Sequence, residues 1–229
     1  MKYIKLFENF NEGIISKFTN YIKNRDIKNI CDRYVIENYT INSDGTIDVD
    51  GNVDLSSRGL TEFPLKFRNV SGNFDCRHNR LITLEGSPQS IGGFFDCYNN
   101  KLTSLKGGPI SVGGAFYCYS NELENLEGSP KEVGGSFDCR FNGLKTLEGI
   151  PLSVGGDFIC YGNPVFVIWD LFRLEYIENK SLSYRSMVDL FNDYDIIRDG
   201  EIVILDRLNA FLQDIGKPTV TEVRGYKCI

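Results

Sequence analysis

The chain has 229 residues, 41% apolar and 13% aromatic, with seven cysteines, one histidine and a net charge of −6. That composition supports an ordered core, and without an excess of Lys and Arg a duplex nucleic-acid partner is not expected. An odd cysteine count, with five cysteines in a periodic column, is no disulfide framework and points to a reducing compartment.

Residues 1–42 read as an N-terminal helical cap. Ile4, Phe7, Phe10, Ile14, Phe18, Tyr21 and Ile22 recur at three- and four-residue steps, the pattern of an amphipathic helix. A second, shorter helix is expected from Ile27 to Ile36 with Cys31 buried. Met1 to Phe18 reads either as a cap docked on the repeats or as a partner-binding or targeting helix. The N-terminus has no continuous apolar stretch and no small-residue cleavage site, so no secretory signal is expected. The run Val165 to Trp169 is too short to cross a bilayer, and no membrane association is expected.

Asn42 to Thr46 and Asp48 to Gly51 carry acidic residues beside glycines, but the spacing is not that of an EF-hand. Both Asp-Gly steps are read as hairpin turns.

Residues 43–166 are a repeat region with a period of 21 residues. Five copies begin at Phe74, Phe95, Phe116, Phe137 and Phe158; the first four share the pattern Phe-x-Cys-x-x-Asn-x-Leu-x-x-Leu, the fifth keeps its Phe, Cys and Asn with Val165 in the first Leu slot, and a degenerate copy spans Val49 to Phe63. A fixed period of this size signals a solenoid, which is more often a binding surface than a reaction vessel. The alternation of Phe and Cys predicts a short strand with both side chains inward. The Asn column is expected to satisfy backbone groups of the turn and of neighbouring repeats. The column Cys76, Cys97, Cys118, Cys139 and Cys160 is read as small buried hydrophobes, because a straight column does not converge on a metal as zinc requires. Gly-Ser-Pro and Gly-Gly segments make the return path turn plus extended chain, giving a narrow parallel sheet and no helix.

Residues 167–229 read as a small α/β cap. Helices are expected over 164–172 and from Ser183 to Ile197, a turn at Asp199-Gly200 and a strand from Glu201 to Leu205. A helix from Leu205 to Ile215 is stopped by Gly216 and Pro218, and a last strand runs from Thr219 to Tyr226.

The Phe-x-Cys-x-x-Asn-x-Leu-x-x-Leu copies resemble the leucine-rich-repeat consensus, with Phe and Cys in the first two Leu slots. The expected fold is thus an α/β repeat solenoid of short leucine-rich repeats. Met1 to Glu8, Asp44 to Asn52, the Gly-Gly-x-Phe-x-Cys repeats and Ile215 to Tyr226 resemble leucine-rich-repeat proteins of large tailed bacteriophages. That group supplies no activity or functional residues. It implies a viral protein working in the host cytoplasm. Leu6-Phe7-Glu8 also fits the Leu/Ile-x-Glu cleavage pattern of prohead proteases of such phages, which implies as an alternative a virion or internal capsid component targeted by its N-terminal helix.

Strand alternation directs two columns outward, and these are the candidate partner-binding residues. One column is Asp75, Asp96, Tyr117, Asp138 and Ile159; the next is Arg77, Tyr98, Tyr119, Arg140 and Tyr161. Tyr and Arg are the residues that most often anchor interfaces. Just beyond lie His78, Asn99, Ser120, Phe141 and Gly162. With one histidine, no Ser-His-Asp or Cys-His set can be assembled beyond it, and no Walker-type Gly-Lys-Ser/Thr is present. The reading is a monomeric, non-enzymatic module for a protein or peptide partner, with no cofactor or metal.

Overall fold

The computed structural model describes residues 22–160, 162–164, 194, 196–198, 202–214, 216, 218–223 and 227–229. The expected helix from Met1 to Phe18, the segment 164–172 beyond Pro164 and the Asp199-Gly200 turn lie outside these residues.

Helix α1 (22–34) turns Ile27 and Cys31, one helical turn apart, into the core. It begins before the expected Ile27 and stops short of Ile36. The stop is a Schellman-type turn: Val35 takes a φ of 56° and the Ile36 N–H donates to the Cys31 carbonyl at 2.9 Å. Strands β1 (Tyr39–Ile41) and β2 (Ile47–Val49) then form an antiparallel hairpin. Its turn is closed by Gly45 N–H donating to the Asn42 carbonyl at 2.9 Å, and Lys23 of α1 donates to the Asp44 carbonyl at 2.8 Å. The first Asp-Gly step is therefore a hairpin turn as expected. The second, Asp50-Gly51, is instead a corner leading into a different sheet at β3 (Val53–Asp54).

From there each 21-residue rung contributes two strands. They are β4 (Phe67–Val70) and β5 (Phe74–Asp75), β6 (Ser90–Ile91) and β7 (Phe95–Asp96), then β8 (Ser111–Val112) and β9 (Phe116–Tyr117). The series continues with β10 (Glu132–Val133) and β11 (Phe137–Asp138), and with β12 (Ser153–Val154) and β13 (Phe158–Ile159). The even-numbered strands and β1 make a seven-stranded sheet in the order β1-β2-β4-β6-β8-β10-β12; the odd-numbered strands make a six-stranded sheet from β3 to β13. Pairing between rungs is parallel, Phe74 on Phe95 on Phe116 and Val70 on Ile91 on Val112. The degenerate copy joins in phase, Val49 on Val70 and Val53 on Phe74.

The chain is thus a parallel-strand repeat solenoid with two sheets, where the sequence predicted one. The return path is itself a strand because identical extended segments repeat at each rung, and their N–H and C=O groups find partners in the rungs above and below. Between the two strands, the Gly-Gly corner is imposed by close approach: a Cβ on Gly92 or Gly113 would overlap the carbonyl oxygen of Ser71 or Gly92. A turn on the opposite side is closed by Ser87 N–H donating to the Leu84 carbonyl at 3.0 Å, with Gly86 at a φ of +94°.

Inside, Phe74, Phe95, Phe116, Phe137 and Phe158 stack with ring centroids 5.2 to 5.7 Å apart. The first four are fully buried, as are the paired Leu columns. Cys76, Cys97, Cys118 and Cys139 have no exposed surface, and all five column thiols are free. Burial pushes these thiols up, Cys160 to about 12, which suppresses the reactive thiolate.

The Asn column ties rung to rung. Asn100 Nδ2 donates to the carbonyls of Cys97 (3.0 Å) and Cys76 (3.1 Å), while its Oδ1 accepts from Leu81 N–H at 3.0 Å. Asn79, Asn121, Asn142 and Asn163 bond likewise, each reaching back one rung. The degenerate copy has exposed Arg58 in this slot; its strand β3 is the sheet edge, with no earlier rung in that sheet to bridge.

In the C-terminal region β14 (Ile197–Arg198) pairs antiparallel with β15 (Ile202–Val203), which pairs parallel with β16 (Lys227–Cys228). Helix α2 (Leu205–Asp214) buries Leu208, Phe211 and Leu212. Within the described residues, the strand expected over 201–205 is present at Ile202–Val203 and the helix expected over 205–215 is present over Leu205–Asp214. Of the helix expected from Ser183 to Ile197, residues 183–193 and 195 lie outside the described residues, and Ile197, expected to end it, lies in β14. The expected strand from Thr219 to Tyr226 is absent over 219–223. There the Asn209 side chain on α2 takes both backbone groups of Val220, at 2.8 and 2.9 Å, and so replaces a strand partner.

Candidate functional site

The two outward columns leave the six-stranded sheet where its strands end. At this point the chain turns sharply, and Ser57, His78, Asn99, Ser120 and Phe141 all take positive φ, between 52° and 56°. Asn tolerates this left-handed region and Gly162 adopts it freely. That column ends in glycine and contains Asn, a signal in the sequence that marked a turn position.

The preceding Asp column stabilises the turn. Asp75 accepts the Arg77 N–H (3.1 Å), Asp96 the Tyr98 N–H (3.1 Å) and Asp138 the Arg140 N–H (3.2 Å). Their side chains fold back onto backbone instead of projecting, so Asp96 and Asp138 are buried, with relative exposures of 6% and 1%. Burial raises the carboxyls of Asp75 and Asp138 and pushes Asp96 up to about 6, against the opposing hydrogen bonds and arginine charges. Tyr117 and Ile159 are half-buried, and the Tyr117 ring lies 6.3 Å from that of Phe94.

Three members of the second column, Tyr98, Tyr119 and Arg140, form a stack over this acidic base. Tyr98 and Tyr119 lie nearly parallel, centroids 4.3 Å apart. The Arg140 guanidinium covers the other side of Tyr119 at 4.8 Å and pairs with Asp138 at 3.0 Å. Burial pushes the Tyr119 phenol up to about 12. His78 stands against Tyr98 with rings inclined at 71°, bonded to the Tyr98 hydroxyl and, at 2.6 Å, to the Asn99 amide. Arg77 pairs with Asp75 at 3.2 Å and approaches Asp96 at 3.9 Å. The structure therefore brings Arg77, Tyr98, Tyr119 and Arg140 together, places Asp75, Asp96 and Asp138 beneath them, and adds His78 and Asn99. Tyr161 lies outside the described residues.

Along the axis each tyrosine ring is flanked by a neighbouring side chain. What faces outward is a row of ring edges, hydroxyls and guanidinium groups. Such a row offers hydrogen bonds and edge contacts, and the faces that Tyr98 and Tyr119 turn to each other, with the Tyr119 face under Arg140, are closed to a stacking sugar or base.

A second, shallow groove lies on the seven-stranded sheet, lined in part by Asp48, Asp50, Asn69, Ser71 and Ser90. Its carboxylates are already engaged: Asp48 with Arg68, Asn69 and Asn42, and Asp50 with Ser71. Among the described residues no group of three or more His, Cys, Asp or Glu side chains is placed to hold a metal ion, and no helix is long and apolar enough to cross a membrane. Comparison with known proteins finds no similar family, no similar curated protein and no similar solved structure.

Proposed function

We propose that this chain is a non-enzymatic binding module whose partner is a protein or peptide held along the Arg77–Tyr98–Tyr119–Arg140 ladder. The supporting observation is the stack itself. Its rings are occupied face to face by one another, which disfavours ligands that bind by stacking and favours a partner that packs on edges and pairs with hydroxyls and guanidinium groups. The solenoid belongs, in this reading, to the short leucine-rich repeats, closed by α1 at one end and by the small α/β unit of β14 to β16 at the other. The resemblance to leucine-rich-repeat proteins of tailed bacteriophages makes host cytoplasm the working compartment and a host protein the first partner to seek, with the chain acting as a monomer.

The test is affinity capture from phage-infected cell lysate with the wild-type chain and a Tyr98→Ala/Tyr119→Ala variant. The expected result is loss of the captured protein with circular dichroism and melting close to wild type. Undiminished capture by the double variant overturns the assignment.

A further inference from the structure

Charge is not spread evenly along the ladder. The turn of the first three rungs, residues 56–59, 77–80 and 98–101, holds Arg58, Arg77, Arg80, Lys101 and His78 and no carboxylate. All five are exposed. In the adjacent column, the carboxylates of Asp54, Asp75 and Asp96 accept the backbone N–H two residues onward, at 2.9 to 3.1 Å, and so point back into the turn. Lys101 is paired with Glu122 of the next rung at 3.1 Å, and Arg77 with Asp75. Among the described residues, neither Arg58 nor Arg80 lies within ion-pair distance of a carboxylate. This cationic end stands out on a chain whose net charge is −6. Toward the other end the turn changes character, and Phe141 presents a ring that is 53% exposed.

The geometry points to an extended acidic peptide as the occupant, its carboxylates on Arg58 and Arg80 and an apolar side chain further along on Phe141. This rests on the ladder being the binding surface, as proposed above, and adds the chemistry and polarity of the partner. The rung of Arg80 and the rung of Phe141 are three steps apart, about 14 Å at strand spacing. An extended peptide rises about 3.3 Å per residue, so the acidic and apolar residues sit about four positions apart. A peptide running along the axis meets charge first and ring edges next. Arg58 and Arg80 supply most of the steering because neither is held in a close ion pair; among the described residues, Asp54 acts on Arg58 only through its charge, and no carboxylate acts on Arg80.

An array of synthetic nonapeptides, with acidic, basic and apolar residues permuted at each position, tests this on the full chain. The wild type is expected to retain peptides carrying Asp or Glu about four positions from an apolar residue. Arg58→Glu/Arg80→Glu should lower that signal by about tenfold or more, and added salt should weaken it in the wild type. Both arginines are exposed, so melting of the variant serves as the control for folding. Equal retention of acidic and lysine-bearing peptides, an unchanged signal in the charge-reversed variant, or an array that retains nothing overturns the inference. So does preferential capture of a short oligothymidylate that depends on the same arginines. Peptides that require Tyr98 and Tyr119 but ignore Arg58 and Arg80 would leave the ladder as the binding surface and remove only its acidic partner.

Discussion

Tyr98 and Asn100 sit two residues apart on one rung and meet the neighbouring rungs in different ways. Asn100 turns inward and bonds four backbone groups, two of which belong to the preceding rung. Only an amide of that length supplies donors and an acceptor in this arrangement, so the same residue recurs in every regular rung. Tyr98 turns outward and stacks on whatever the next rung offers, here another tyrosine. A stack of planar groups accepts His, Tyr or Arg in succession, and the outer column varies accordingly. Uniformity on the inside is dictated by backbone groups that repeat identically; variety on the outside is permitted because stacking asks only for a flat side chain.

Three substitutions probe that contrast. Phe116→Ala removes the middle ring of the buried stack, and a loss of about 4 kcal/mol is expected in urea unfolding. Because each rung touches only its neighbours, that variant should also split the unfolding transition into two. Asn100→Leu fills the same space but leaves the buried Leu81 N–H without its partner and takes one of two donors from the carbonyls of Cys76 and Cys97, which keep Asn79 and Asn121. The expected loss is about 3 kcal/mol, read in the same experiment. A loss below that of the outer Tyr98→Ala/Tyr119→Ala pair would erase the distinction between the two columns.

The smallest effect is at the boundary between them. Asp96 holds its carboxyl at about 6, above the ordinary carboxylate value, mainly because it is buried. Between those two values the folded chain binds more protons than the unfolded one, so its stability falls as pH rises through the window, and the loss is complete above it. Asp96→Asn keeps the acceptor for the Tyr98 N–H and removes the charge. The variant should be more stable than the wild type by on the order of 1 kcal/mol at slightly alkaline pH, and the difference should close in acid. A constant difference across the pH range would show that burial of Asp96 is not the source.

The solenoid was visible in the sequence because long-range pairing repeats a local pattern. Phe, Cys, Asn and Leu recur with one spacing, and the degenerate copy from Val49 could be aligned by position alone. The second sheet was not visible. Two-residue strands such as Ser111–Val112 are too short to show alternation, and their hydrogen bonds run to rungs that a single copy does not reveal. The outer column was identified as a surface, but its acidic members were misplaced. Alternation sends Asp96 and Asp138 outward, whereas the turn's own N–H groups draw the carboxylates back. Near the C-terminus, Thr219 to Val223 alternates like a strand, yet one asparagine on α2 takes the backbone bonds a strand partner would have used.

The fixed register has a consequence for how this protein can change in length. Each rung meets its neighbours through the same positions, so inserting or deleting a whole 21-residue unit leaves every pairing from Val53 to Phe158 intact. The size of the outer surface is therefore quantised, in steps of about 4.8 Å. The hairpin of β1 and β2 fixes where counting starts, because β1 runs antiparallel and ends the series. A chain built this way offers its outer surface in whole rungs, and evolution can lengthen the ruler without redrawing its divisions.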